Sequence, residues 1–104
     1  MAKRIIWSKR AKEDRSSILR YWLNRNKSNA YPRKLNKLFS ESVRWLSESP
    51  FGRRRTDYLE TNVKIVRDYK IIFEEDETTI FILTIWDTRQ NPERLSSIIK
   101  DSKN

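Results

Sequence analysis

Apolar residues recur at helical spacing through the first half of the chain and at strand spacing through the second. Residues 3–7 (KRIIW) open with a short apolar run that predicts a strand. Ser8 stands where a helix N-cap is needed. Over residues 9–25, Ala11, Ile18, Leu19, Trp22 and Leu23 fall near one helical face, and basic residues fill the other. Residues 24–29 (NRNKSN) have turn chemistry. A second helix is expected over residues 30–47, with Pro32 in its first turn, where a missing N–H costs nothing. Its stripe is Tyr31, Leu35, Leu38, Phe39, Val43 and Leu46. Two helices joined by a short turn predict an antiparallel hairpin, ended by Ser49, Pro50, Phe51 and Gly52.

After Gly52 the period changes. Arg53, Arg54 and Arg55 form a basic cluster expected in a loop, and Tyr58 and Leu59 are read as the start of a strand. Residues 63–67 (VKIVR) alternate, 69–73 (YKIIF) predict a strand, and 74–78 a hairpin loop, its acidic run read as a solvated turn. Residues 79–86 (TIFILTIW) are apolar on both faces, which places that strand inside the sheet. Residues 87–92 leave the sheet, and 93–100 predict one or two helical turns with Leu95, Ile98 and Ile99 packing back. The fold class is therefore α+β: an N-terminal strand, a helical hairpin, then antiparallel strands, with the helical pair on one sheet face. Residues 1–104 make one domain.

Charge changes this picture more than length does. The chain has 23 basic and 14 acidic residues, a net of +9, and an apolar fraction of only 37%. Four Trp and an aromatic content of 12% argue for a folded core rather than disorder. A surface this basic favours polyanions or acidic proteins. There is no Cys and no His, so thiolate metal sites, disulfides and the commonest neutral-pH acid–base group are all excluded. No metal, cofactor or small-molecule ligand is expected. No apolar run is long enough to cross a bilayer and no signal-type h-region follows Met1, so a cytoplasmic protein without membrane contact is expected.

Three stretches, in order, are similar to the RelE/ParE superfamily of toxins. Residues 46–53 (LSESPFGR) match its "L…P…GR" junction after the helical hairpin, residues 66–73 (VRDYKIIF) its arginine-then-"YRIxY" strand, and residues 82–92 (ILTIWDTRQNP) its closing "ILxIxHxRxxP" strand and turn. The resemblance implies a toxin of a type II toxin–antitoxin system, silenced by a cognate antitoxin that wraps its basic surface.

Two chemistries follow from that resemblance. The RelE-like one is ribosome-dependent cleavage of mRNA, in which the 2′-hydroxyl attacks the phosphate, a base takes its proton, an acid protonates the leaving oxygen, and cations stabilise the charge. The residues that match are Lys64, Arg67, Lys70 and Arg89. Lys70 stands where relatives carry Arg, and loses the bidentate fork. Asp87 stands where relatives carry His, and no Tyr follows Tyr69. Lys64 would serve as base only with a strongly depressed pKa. The ParE-like alternative is a non-enzymatic poison of DNA gyrase, binding through the helical hairpin and C-terminal segment. Arg53, Arg54 and Arg55 suit either target. A third reading, from another class, is an inert or non-toxic basic nucleic-acid-binding module. Structural roles stand beside these: ion pairs for Arg67 and Arg89 with Asp68 and Asp87, a turn cap for Asp87, and core or antitoxin-groove positions for Trp7, Trp22, Trp45 and Trp86.

Overall fold

The computed structural model describes residues 2–49, 54–55 and 61–103, with backbone alone at 54–55 and 102–103. The elements run β1 (Arg4–Trp7), α1 (Lys9–Asn26), α2 (Ala30–Glu48), β2 (Arg54–Arg55), β3 (Asn62–Val66), β4 (Tyr69–Glu75), β5 (Thr79–Asp87), a 3-10 turn (Pro92–Arg94) and α3 (Leu95–Lys103). The expected strand start at Tyr58 and Leu59 and the position of Arg53 lie outside the described residues. Arg54 and Arg55 depart from the expected loop: their backbone pairs antiparallel with β3, opposite Val63 and Asn62.

The sheet order is β1-β5-β4-β3-β2. Neighbours pair antiparallel except β1, which runs parallel to β5 with Arg4 opposite Thr79 and Trp7 opposite Ile82. A parallel pair needs a long crossover, and the helical hairpin supplies part of it. β5 lies between β1 and β4, as its two-sided apolar pattern predicts.

Ser8 starts α1 as expected. Its hydroxyl oxygen accepts from the Ala11 N–H at 2.9 Å and donates to the Leu83 carbonyl at 2.7 Å, so one side chain caps the helix and anchors it to β5. α1 ends at Lys27, which takes a left-handed φ of 50°, a position that usually falls to Gly. In α2, Leu35, Phe39, Val43 and Leu46 are all buried, with spacings of three and four residues. α1 is less amphipathic: Ala11 alone is buried, and Ile18, Leu19 and Trp22 are partly covered.

The strands alternate between two cores. Tyr69, Ile71 and Phe73 of β4, with Ile80, Ile82 and Ile85 of β5, pack beneath the helical pair. Ile72, Leu83 and Trp86 point the other way and meet Leu95 and Ile99 of α3. The hairpin therefore covers one face as expected, and α3 covers the opposite one. A register shift leaves Leu83 as an extra residue: Ile72 pairs with Thr84 but Phe73 with Ile82.

The expected acidic loop is shorter than residues 74–78, because Glu74 and Glu75 belong to β4. Glu75 forms an ion pair with Lys3. Asp76 then closes the turn, accepting from the backbone N–H groups of Thr78 and Thr79 at 2.9 and 2.8 Å. These N–H bonds hold its carboxyl below the usual range.

Candidate functional site

The β4–β5 ladder begins with Tyr69 opposite Asp87, and α1 lies across this end of the sheet. Between them is a cleft of about 410 Å³, lined among others by Arg10, Asp14, Tyr21, Tyr69, Trp86 and Arg89. Its floor is rigid. The Trp22 indole N–H donates to the Tyr69 hydroxyl at 2.7 Å, and the Phe39 and Tyr69 rings meet edge to face at 5.7 Å. Burial pushes the Tyr69 phenol above its ordinary pKa, so it keeps its proton at neutral pH.

One wall is Asp14 of α1. Its carboxylate accepts from the Thr84 hydroxyl, from the Ile85 N–H at 3.2 Å and from Arg10 Nε at 3.1 Å. An acid in α1 thereby satisfies backbone freed where the ladder slips. The other wall is the turn after β5. Arg89 donates through Nε and Nη2 to the two carboxylate oxygens of Asp87 at 3.0 and 2.8 Å, and its backbone N–H donates to Asp87 Oδ1 at 2.9 Å. The guanidinium also lies 5.8 Å from the Trp22 ring centre. The Arg89 side-chain bonds draw the Asp87 carboxyl below the usual range, and Asp87 in turn raises Arg89 above its own ordinary value. The anticipated Arg89–Asp87 ion pair is thus present, and Asp87 serves the turn as its cap.

The four residues matched to RelE-like chemistry do not meet. Lys64 stands opposite Ile71 on the face of the helical pair, its ammonium 4.4 Å from the centre of the half-exposed Trp45 ring. Lys70 stands opposite Trp86 on the α3 face. Arg67 is exposed in the two-residue turn joining β3 to β4, with φ of 57°. It lies near the Arg89 end of the sheet, because Thr88 donates to the Asp68 carbonyl through its backbone N–H at 2.9 Å and its hydroxyl at 2.8 Å. Of the four, only Arg89 lines the cleft. Arg54 and Arg55 lie at the far edge of the sheet, with three strands between them and β1 and two between them and β5.

Sequence reasoning missed Asp14, Trp22 and Tyr69 as a joint framework. Trp22 was readable as apolar helix face and Tyr69 as strand, but their bond spans 47 positions and has no local signal. Among the described residues no group of His, Cys, Asp or Glu is placed to hold a metal. No described helix is long and apolar enough to cross a membrane.

The fold accords with one comparison. The family described as the ParE toxin of type II toxin–antitoxin systems, parDE, matches residues 5–92. No curated protein matches the chain. The matched span runs from the second residue of β1 to the first residue of the 3-10 turn, most of the chain, so the chain belongs to the ParE toxin family.

Proposed function

We propose that this ParE-family toxin poisons DNA gyrase by binding it, without cleaving RNA. As the toxin of a type II system it has a cognate antitoxin as its protein partner. The cytoplasm is the compartment in which both partners and the target would meet.

The observation that carries this reading is the dispersal of the candidate catalytic cations. In-line attack on one phosphate needs a base, an acid and charge stabilisers within a few ångströms of the same atoms. Lys64 and Lys70 lie on opposite faces of one sheet. Arg89 has two donors already spent on Asp87, and that carboxylate also cancels its field at a phosphate. The cleft beside them has features of a contact site instead: aromatic groups from Tyr21 and Tyr69, and an Arg held in one geometry. Aromatic and Arg side chains dominate the energetics of protein interfaces. Arg54 and Arg55, whose backbone forms the other edge of the sheet, would extend the proposed contact there.

Adding the purified chain to a gyrase supercoiling reaction tests this directly, with transcript ends mapped in parallel after induction without antitoxin. Inhibited supercoiling with intact transcripts is expected, and Arg89→Ala should weaken the inhibition. New cuts inside translated codons, lost in Arg67→Ala, would instead restore the ribosome-dependent nuclease.

A further inference from the structure

Residues 15–40 contain no acidic residue and seven basic ones. The other 78 residues hold 16 basic against 14 acidic, so this quarter of the chain carries nearly all of the +9 net charge. The fold gathers the segment into one place. It is the last three turns of α1, the connection at residues 27–29, and the first half of α2. Arg15 is used internally, donating to Asn36 Oδ1 at 2.8 Å and Ser40 Oγ at 2.6 Å across the two helices. Arg25 leans on Trp22, 6.0 Å from its ring centre. Arg20, Lys27, Arg33 and Lys34 are exposed and make no ion pair among the described residues, and Lys37 has only a loose contact with Glu41 at 3.8 Å.

Backbone groups at this end add to the side chains. α2 opens here with no acid in its first turn; the Ser28 hydroxyl accepts from the Ala30 N–H at 3.2 Å, and no charge among the described residues offsets the N-terminal dipole. Solubility alone spreads charges of both signs over a surface. Concentration of one sign at one end of a hairpin is the footprint of a polyanion site.

We propose that the loop end of the α1–α2 hairpin binds the phosphate backbone of duplex DNA. A protein partner fits it less well. Interface cores are poor in Lys and built on apolar anchors, whereas here the two exposed large apolar side chains, Tyr21 and Leu23, are outnumbered by exposed Lys, Arg, Asn and Ser. Single-stranded nucleic acid fits less well too, because it needs free aromatic faces. Trp22 packs edge to face with Tyr21 and Tyr31 at 5.2 and 5.0 Å, Arg25 and Arg89 lie over Trp22, and the half-exposed Tyr21 is the one aromatic left open to solvent among them. Two helices side by side are about 20 Å across, too wide for a major groove of about 12 Å. The end therefore rides on the phosphates, without base readout. Arg20, Lys27, Arg33, Lys34 and Lys37 do not line the cleft beside Arg89, and the proposal stands whether or not gyrase is the target.

The test is the affinity of the full chain for a labelled duplex of about two helical turns, measured from about 50 to 200 mM salt. With five phosphates neutralised, the logarithmic salt slope is about −4.5. Arg20→Glu/Arg33→Glu/Lys34→Glu should lose at least about tenfold in affinity and flatten the slope by about three. Arg4→Glu/Arg94→Glu/Lys100→Glu reverses three exposed charges elsewhere and should keep both near wild type. Equal losses in the two variants would reduce the effect to net charge and overturn the proposal. Tighter binding to an RNA duplex, or no duplex binding at low salt, would overturn it as well. So would a hairpin variant that keeps its duplex affinity and loses its antitoxin. Failure of the wild-type chain to inhibit supercoiling would remove the gyrase reading alone, since duplex binding is read without gyrase.

Discussion

The indole N–H of Trp22 points at the phenol oxygen of Tyr69, 2.7 Å away, and joins the C-terminal third of α1 to the first residue of β4. Tyr69 is almost fully buried, so neither partner finds a substitute in water easily. Tyr69→Phe should cost about 1–3 kcal/mol by leaving the indole N–H without its acceptor. Trp22→Phe should cost a similar amount or more, and the double variant less than the sum of the two, because both remove one bond. Urea unfolding of the four proteins measures this. Strict additivity would mean that the bond contributes nothing.

Asp14 makes a comparable link from the preceding turns of α1 to the slipped ladder. Asp14→Ala leaves the fully buried Thr84 hydroxyl and the Ile85 N–H without this acceptor. A loss of about 2–4 kcal/mol is expected. Thr84→Val in the Asp14→Ala background should recover part of it, since an apolar side chain then fills the site. No recovery on denaturation would show that Asp14 acts through Arg10 and the Ile85 N–H instead.

Acid should weaken the turn at Asp87. Its folded pKa is depressed, chiefly by the Arg89 side chain. A depressed carboxylate contributes stability that is fully present above the unfolded value of about 3.9 and disappears as pH falls through the folded value. Melting temperatures followed downward from pH 6 should therefore drop faster below about pH 4 for the wild type than for Asp87→Asn. Parallel curves would place the acid sensitivity at other carboxylates, Asp76 first among them.

Arg67 holds a left-handed φ of 57° in a two-residue hairpin turn that usually carries Gly, Asn or Asp there. A side chain with a Cβ pays for that conformation with roughly 1 kcal/mol. Arg67→Gly and Arg67→Asn should raise the stability of the chain by up to about that amount, with an unchanged denaturant slope. A destabilised Arg67→Gly variant would mean that the arginine side chain makes a contact worth more than the strain.

Much of the fold is readable along the chain. The α2 stripe from Leu35 to Leu46 and the two-sided run of β5 each fix an element and its burial through periodicity alone. The site is less readable, and Arg67 shows why. Read as the last strand residue of VKIVR, it leaves the β3–β4 register open. Placed in the turn, it sets Val66 opposite Tyr69, and so puts Lys64 and Lys70 on opposite faces. Arg-Asp lacks the turn signature that would have shown this beforehand. The links from Asp14 to Thr84 and from Lys3 to Glu75 join positions 70 and 72 apart, through the parallel pairing of β1 with β5. Nothing local in either partner announces them.

That parallel pairing also sets a clock on synthesis. Arg4 leaves the ribosome 75 residues ahead of its partner Thr79, a wait of about 4–15 s at 5–20 residues per second. Until then β1 has no strand to join, and α1 has neither the Leu83 carbonyl that anchors its cap nor the Tyr69 and Thr84 groups it docks on. The nascent chain cannot assemble its cleft piecemeal. The cleft does not form until β5 is made, and nothing that recognises the folded surface can bind before then.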